Sequence, residues 1–317
     1  MKEIKKVKCI IDTDPGVDDT VAMVLSLYDE KIDIEMISTV NGNLDLDTVT
    51  RNALHVLEKY DRTDIPVVKG ASKAMKRVSP DAKFIHQAEG MGGYIPPKKV
   101  KTKPVDRDVV EAMYEVIKEN SGNIVFFELG PHTNLGTLIS RHPDVVYMIK
   151  HVYCEGCAPY GLKTEGKWIE YISFNASSDP EAMEIVLNSG IPVTIIPSRM
   201  GRDLANFNEQ EVYHIRDIND TGRFFFEMYN GYWEHGYPDR RVATNDTCAC
   251  MIMRYPKLFK TKRAFVTVDT GDQPGKTTFR FSRSGNVNYA YKVNKKKMHE
   301  YFYRAIKKLD RFKFYHD

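Results

Sequence analysis

No stretch of the 317-residue chain is apolar for long enough to form a signal peptide or a membrane span, and the charged opening Met1-Lys2-Glu3-Ile4-Lys5-Lys6 runs straight into a short strand pattern. The expectation is a cytoplasmic protein with no membrane contact. Cysteine is scarce: five, an odd number spread over a long chain, do not make a disulfide framework and fit a reducing compartment. An excess of one charge is lacking too. With 46 basic against 43 acidic residues the net charge is +3, which gives no field that would favour nucleic acid as a partner. The small basic excess gathers in Lys295-Lys296-Lys297, Lys307-Lys308 and Arg311, the solvated face of a terminal helix. Internal repeats, low-complexity tracts and an interdomain linker are missing as well, so residues 1–317 read as one domain. What is present is core: hydrophobic residues make up 42% of the chain, enough for a large α/β domain.

The densest feature is Asp12-Thr13-Asp14-Pro15-Gly16-Val17-Asp18-Asp19, four carboxylates within eight residues, directly after the apolar run Val7-Lys8-Cys9-Ile10-Ile11. Val21, Val24, Leu25 and Tyr28 follow at i, i+3, i+4 and i+7, one face of a helix, so the acids sit on a strand-to-helix turn. Pro15 fixes a backbone angle and Gly16 permits a sharp reversal, which lets acids from both ends of the turn converge. Capping and the helix dipole account for about two of them. A solvated acidic loop is the plainer alternative, and an Asp-x-Asp phosphatase is another. The preceding buried strand argues against the loop, because open parallel sheets collect ligands at the carboxyl ends of their strands. Converging acids raise one another's pKa unless a hard divalent cation neutralises them, and carboxylate oxygens suit calcium or magnesium.

Along the chain, strand and helix patterns alternate. A strand pattern over 32–40, a helix with Val49, Ala53, Val56, Leu57 and Tyr60 on one face, and the short strand Ile65–Val68 make the opening. Parallel neighbours need crossovers, so the fold class is α/β, an open, mostly parallel sheet flanked by helices. Residues 71–104 lose periodicity and hold several glycines and prolines, as a lid or binding loop would, and they contain His86. Further strands are predicted over 124–127, 147–153 and 191–196, with Asn134 capping a helix and Asp179-Pro180 opening another. Segments 265–268, 278–281 and 287–291 alternate at short spacing, an antiparallel or mixed edge.

These residues resemble the inosine-uridine-preferring nucleoside hydrolases over nearly the whole chain. The resemblance rests on Asp12 to Asp19, matching Asp-x-Asp-Pro-Gly-x-Asp-Asp, and on Asn41-Gly42-Asn43, Leu129-Gly130-Pro131-His132-Thr133-Asn134, Phe174-Asn175 and Asn245-Asp246, in the family's order and spacing. It implies a nucleoside-hydrolase fold and calcium-dependent hydrolysis of the N-glycosidic bond of a ribonucleoside to ribose and free base. Carried over, Asp14, Asp19, the Leu129 carbonyl and Asp246 would hold one Ca2+. Asp14 would also deprotonate the attacking water, and Asp18, Asn43 and Asn175 would bind sugar hydroxyls. A homodimer or homotetramer is the usual assembly. The chemistry is coherent: an oxocarbenium-like sugar needs negative charge beneath it, a positioned water and help for the departing base.

The chain departs from the family pattern around the sugar's far side and the base. Asn245 stands at the catalytic position where many members have His, keeping the metal ligand but not the acid. Ser173 replaces a sugar-binding Glu, Lys167 aligns with an Asn, and Cys154-Glu155-Gly156 replaces Met-Gly-Gly, placing Cys154 against the pocket. His86 is a second candidate acid for the base, against the plainer reading of an exposed loop histidine. Trp233 is a candidate stacking partner for the base, and Phe174 completes the substrate-binding set. Cys154 and Cys157 form Cys-x-x-Cys with no second pair, which does not make a zinc site. The competing class is a calcium- and sugar-binding member with an altered substrate or lost catalysis.

Overall fold

The computed structural model describes residues 6–78, 86, 88–158, 161–164, 167–170, 172–235 and 240–309. Strand β1 (Val7–Thr13) leads through helix α1 (Val17–Leu27) to β2 (Ile32–Thr39), then α2 (Leu46–Lys59) and β3 (Val67–Lys69). After the long loop come α3 (Val109–Glu119), β4 (Ile124–Glu128), α4 (Thr133–Arg141) and β5 (Ile149–Glu155). A ribbon of β6 (Gly161–Thr164) and β7 (Lys167–Glu170) precedes α5 (Phe174–Ser178), α6 (Pro180–Asn188) and β8 (Val193–Ile196). Next are α7 (Glu209–Arg216), α8 (Asp220–His235) and α9 (Asn245–Arg254). Strands β9 (Phe259–Val268), β10 (Thr277–Phe281) and β11 (Val287–Val293) and helix α10 (Lys295–Leu309) close the chain.

Nine of the described strands form one sheet in the order β10-β9-β11-β8-β5-β4-β1-β2-β3. All neighbours from β11 to β3 run parallel, while β9 pairs antiparallel with both β10 and β11, the mixed edge that the short alternating segments predict. The chain winds from β1 outward through β2 and β3, then returns to β1's other side with β4. This reversal opens a crevice between the carboxyl ends of β1 and β4, the place where open α/β sheets bind ligands. Among the described residues, no helix is long and apolar enough to cross a membrane.

Strand alternation divides the interior in two. Cys9 and Ile11 of β1 pack with α1, α8, α9 and α10, in a cluster that includes Val21, Phe225, Ala249 and Phe302. Ile10 points the other way, into a cluster with Met113 of α3, Leu135 of α4 and Met183 of α6. The same rule applies to β5, where Val152 and Cys154 face the second cluster and Tyr153 the first. One expected cap fails. Helix α4 starts at Thr133 with His132 in the capping position. The Asn134 amide instead donates to Asp12 Oδ1 at 2.8 Å and to the Thr39 carbonyl at 3.1 Å, and its oxygen accepts from Ala71 N–H. A buried Asp beside it outcompetes the helix end for that side chain.

Candidate active site

Asp14 and Asp19 of the first turn meet at the crevice, each oriented by neutral donors. Asp14 Oδ2 accepts from Asn43 N–H at 2.6 Å, and the Asn43 amide donates to the Asp14 carbonyl and to Asp19 Oδ2, both at 3.1 Å. Asp19 also accepts from the Thr13 hydroxyl at 2.6 Å and from Gly16 N–H at 3.1 Å, so it caps α1 while facing the site. Gly42 is required by proximity, because a Cβ there would collide with Asp14 Oδ2 and Pro131 Cδ.

From the far end of the sequence, α9 brings Asp246 to this turn. Carboxylate oxygens of Asp18, Asp19 and Asp246 all lie within 4.8 Å of one another, and all three residues are buried. Asp14 adjoins this group through Asp19. At an effective dielectric of about 20, two unit charges at that separation repel by about 3.5 kcal/mol, so three such pairs approach the whole stability of a typical domain. Protonation relieves it in the bare protein. Burial, then Asp19, raises Asp18 to about 7, and burial followed by Asp18, Asp19 and Glu155 pushes Asp246 well above the carboxylate range. Asp14 is pushed up in the same way, by burial first and then Asp19. Among the described residues no lysine or arginine pairs with any of these four acids. An all-oxygen, buried and anionic donor set of this kind fits a hard divalent cation.

Asp12 belongs to the other face of the sheet. Its Oδ1 accepts from the Ser38 hydroxyl at 2.6 Å and from Asn134, and burial raises it to about 7. Glu128, its register partner on β4, lies on that face with neither carboxylate oxygen bonded. The adjoining Leu129 turns its carbonyl toward the site, where the Asn175 amide donates to it at 2.6 Å.

The remaining candidates are placed as follows. His86 is buried against the first turn, and its Nδ1 accepts from Val17 N–H at 3.2 Å. Burial lowers it to about 4, so at neutral pH the ring is uncharged with its proton on Nε2. Asn245 opens α9 beside Asp246, and its Oδ1 is buried without a hydrogen-bond partner. Phe174 is the first residue of α5, half-buried beside Asn175. Trp233 packs on α8 against Tyr213 and Phe226 under the Arg240 guanidinium, with its indole N–H buried and unbonded. Cys154 is not brought to the acids: it is fully buried in the cluster on the opposite face. Its neighbour Glu155 comes in its place, with Oε1 accepting from Ser198 at 2.7 Å and Oε2 from Asn175 at 3.0 Å. Ser173 Oγ accepts from Cys157 N–H at 2.8 Å. Gly166 and the side chain of Lys167 lie outside the described residues.

A family model described as inosine-uridine preferring nucleoside hydrolase matches residues 9–300. The chain belongs to this family. A relative, the non-specific ribonucleoside hydrolase RihC of Salmonella enteritidis, is 29% identical over 273 residues, covering 85% of this chain and 86% of its own. The same-named protein of Klebsiella pneumoniae is 28% identical, over 82% of this chain and 83% of its own. Among solved structures, the purine-preferring ribonucleoside hydrolase from Gardnerella vaginalis superposes with a TM-score of 0.85 at 25% identity, covering 95% of this chain and 98% of its own. A plant nucleoside hydrolase shares the fold at a TM-score of 0.84 and 23% identity, over 95% and 99% of the two chains. The family's fold thus spans nearly all of this chain.

Proposed function

We propose that this protein is a calcium-dependent hydrolase of the N-glycosidic bond of ribonucleosides, releasing ribose and a free base. The observation that carries this reading is the buried group of acids at the crevice, which has no protein cation to balance it among the described residues, in a chain of this family. Asp14, Asp19, Asp246 and the Leu129 carbonyl would hold Ca2+, with Asp18 beside them. Bound there, the ion would offset the repulsion among the acids, lower the pKa of water and order a sugar diol. Asp14, its Oδ2 held by Asn43, accepts the proton of the attacking water. Asp18, Asn43 and Asn175 bind sugar hydroxyls, and the acids supply negative charge beneath an oxocarbenium-like ring. His86, neutral and protonated on Nε2, donates a hydrogen bond to the departing base, which Phe174, Trp233 and the Asn245 amide surround. Five buried free cysteines suit a cytoplasmic location.

The test is a panel of purine and pyrimidine ribonucleosides with calcium present, assayed for free base and reducing sugar. Release from at least one supports the reading, and metal analysis finding no calcium in protein dialysed against calcium without chelator would sink its metal part. A second reading, sugar binding without turnover, is favoured by Asn245, which cannot act as an acid, and by Ser173, whose hydroxyl is committed to Cys157 N–H. Tight ribose binding with no base released from any nucleoside would select it.

A further inference from the structure

The buried carboxylate of Glu155 has no part in the function proposed above. It stands at the carboxyl end of β5, on the face opposite Cys154, and it is 6% exposed. Among the described residues no lysine or arginine forms an ion pair with it, Arg202 acting on it only at longer range, and its hydrogen bonds come from two neutral donors, Ser198 and Asn175. Burying a carboxylate between neutral partners is costly if its only purpose is to hold the fold.

The consequence falls on Asn175. Its amide nitrogen has two protons, and both are taken: one by the Leu129 carbonyl at 2.6 Å, the other by Glu155 Oε2 at 3.0 Å. The Leu129 carbonyl only accepts, and both Glu155 oxygens stand as acceptors, Oε1 for Ser198 and Oε2 for Asn175, so each contact favours the amide's nitrogen over its oxygen. The amide is held from both ends against the flip that would exchange the two atoms. What Asn175 can then offer a ligand is Oδ1, an acceptor. A glutamine at position 155 would not enforce this, since it can bond either atom of the amide. Ser198 completes the chain by holding Oε1 at 2.7 Å.

We propose that Glu155 is a positioning residue for the sugar: held by Ser198, it fixes the Asn175 amide so that its oxygen accepts from a hydroxyl of the bound ribose. This rests on the reading of Asn175 as a sugar contact. It assigns the site a preference for ligands that present a hydroxyl donor at that point, and it makes Glu155 act through Asn175.

The experiment measures kcat and KM for a ribonucleoside cleaved by the wild type, and the Kd of ribose by calorimetry. The variants are Glu155→Leu, Glu155→Gln, Asn175→Ala, Ser198→Ala and the double variant that combines Glu155→Leu with Asn175→Ala. Loss of a fixed hydrogen bond predicts a rise in KM and ribose Kd of about ten- to a hundredfold for Glu155→Leu, with kcat within about threefold. Glu155→Gln falls between wild type and Glu155→Leu. On the Asn175→Ala background, Glu155→Leu adds less than about twofold, because the residue it acts through is gone. Full additivity in the double variant, or KM and ribose Kd within about twofold of wild type for Glu155→Leu, overturns the proposal. Should Glu155→Leu not fold, Ser198→Ala decides, with KM raised about three- to tenfold supporting and unchanged KM overturning. If the wild type releases no base, the hydrolase reading fails separately and the ribose titrations decide, with failure of ribose to bind the wild type overturning both.

Discussion

Replacing Asp14 with Asn separates chemistry from electrostatics in one substitution. The asparagine oxygen can keep the 2.6 Å bond from Asn43 N–H, so the turn is expected to hold its shape. What disappears is a proton acceptor and one negative charge. General-base catalysis contributes about 10²- to 10⁴-fold, so kcat/KM is expected to fall about 10³-fold, or about 4 kcal/mol of transition-state stabilisation. Stability should move the other way. Burial and Asp19 raise Asp14 above its unfolded-state value, so the ionised group costs stability once the pH exceeds that unfolded value near about 4. Removing that cost raises the metal-free Tm: in a chain of 317 residues with an unfolding entropy of about 2.1 cal/mol/K per residue, each kcal/mol recovered is worth about 1.5 °C. On the function proposed above, calcium at about 100 times its Kd is expected to add about 2.7 kcal/mol to the wild type, about 4 °C, and less to the variant, in which a proposed ligand is changed. Base release read by chromatography and melting read by calorimetry, each with and without chelator, give the answer. Hydrolysis by Asp14→Asn within about tenfold of wild type would refute the assigned role, and a metal-free variant melting below wild type would refute the electrostatic argument.

Three further outcomes are expected. Gly42→Ala drives a methyl group into Asp14 Oδ2 and Pro131, so kcat/KM should drop at least about a hundredfold while the circular dichroism spectrum is kept; activity near wild type would show that Asp14 is not held as described. Asp12, raised by burial to about 7, binds a proton in the folded state that the unfolded chain releases above about 4, so stability should fall as pH rises between those values, by up to about 4 kcal/mol. Asp12→Asn keeps an acceptor for Ser38 and Asn134 and should flatten that slope in urea titrations; an unchanged slope assigns it to other groups. His86, lowered by burial to about 4, should leave kcat/KM free of a His86-dependent step between about pH 6 and 8, and His86→Ala should lose about 1 kcal/mol of stability with the Val17 bond; a step near about pH 6.5 that vanishes in the variant contradicts its neutral state.

The fold is legible in the sequence because its signals are local. The apolar run through Ile11, the Pro15-Gly16 turn and the spacing of Val21 to Tyr28 are enough to place β1 and α1, and the short alternating segments after Phe259 announce the mixed edge. The convergence of Asp19 with Asp246 is readable only through the resemblance, since nothing in the spacing says that α9 packs beside α1. Glu155 escapes the sequence reading although its signal is present. Once β5 is recognised, Cys154 and Glu155 must point to opposite faces, and Val152 in the core assigns Cys154 there too. The reactive-looking cysteine hides the acid beside it. Asn134 misleads for a different reason: capping is a local preference, whereas its actual partner Asp12 is 122 residues away in sequence. Trp233 sits among Tyr213 and Phe226, a packing decided by the meeting of α7 and α8 that no single segment encodes.

The crevice between β1 and β4 draws its acids from opposite ends of the chain, Asp14 and Asp19 from the first turn and Asp246 from α9. Such a site is completed only when α9 docks beside α1, a non-local contact whose closure entropy favours late formation. Calcium should therefore leave the refolding rate nearly unchanged and slow unfolding, so that its protection shows as a longer lifetime of the native state rather than as faster assembly. A chain interrupted before Asp246 would retain the first-turn acids yet gain none of that persistence.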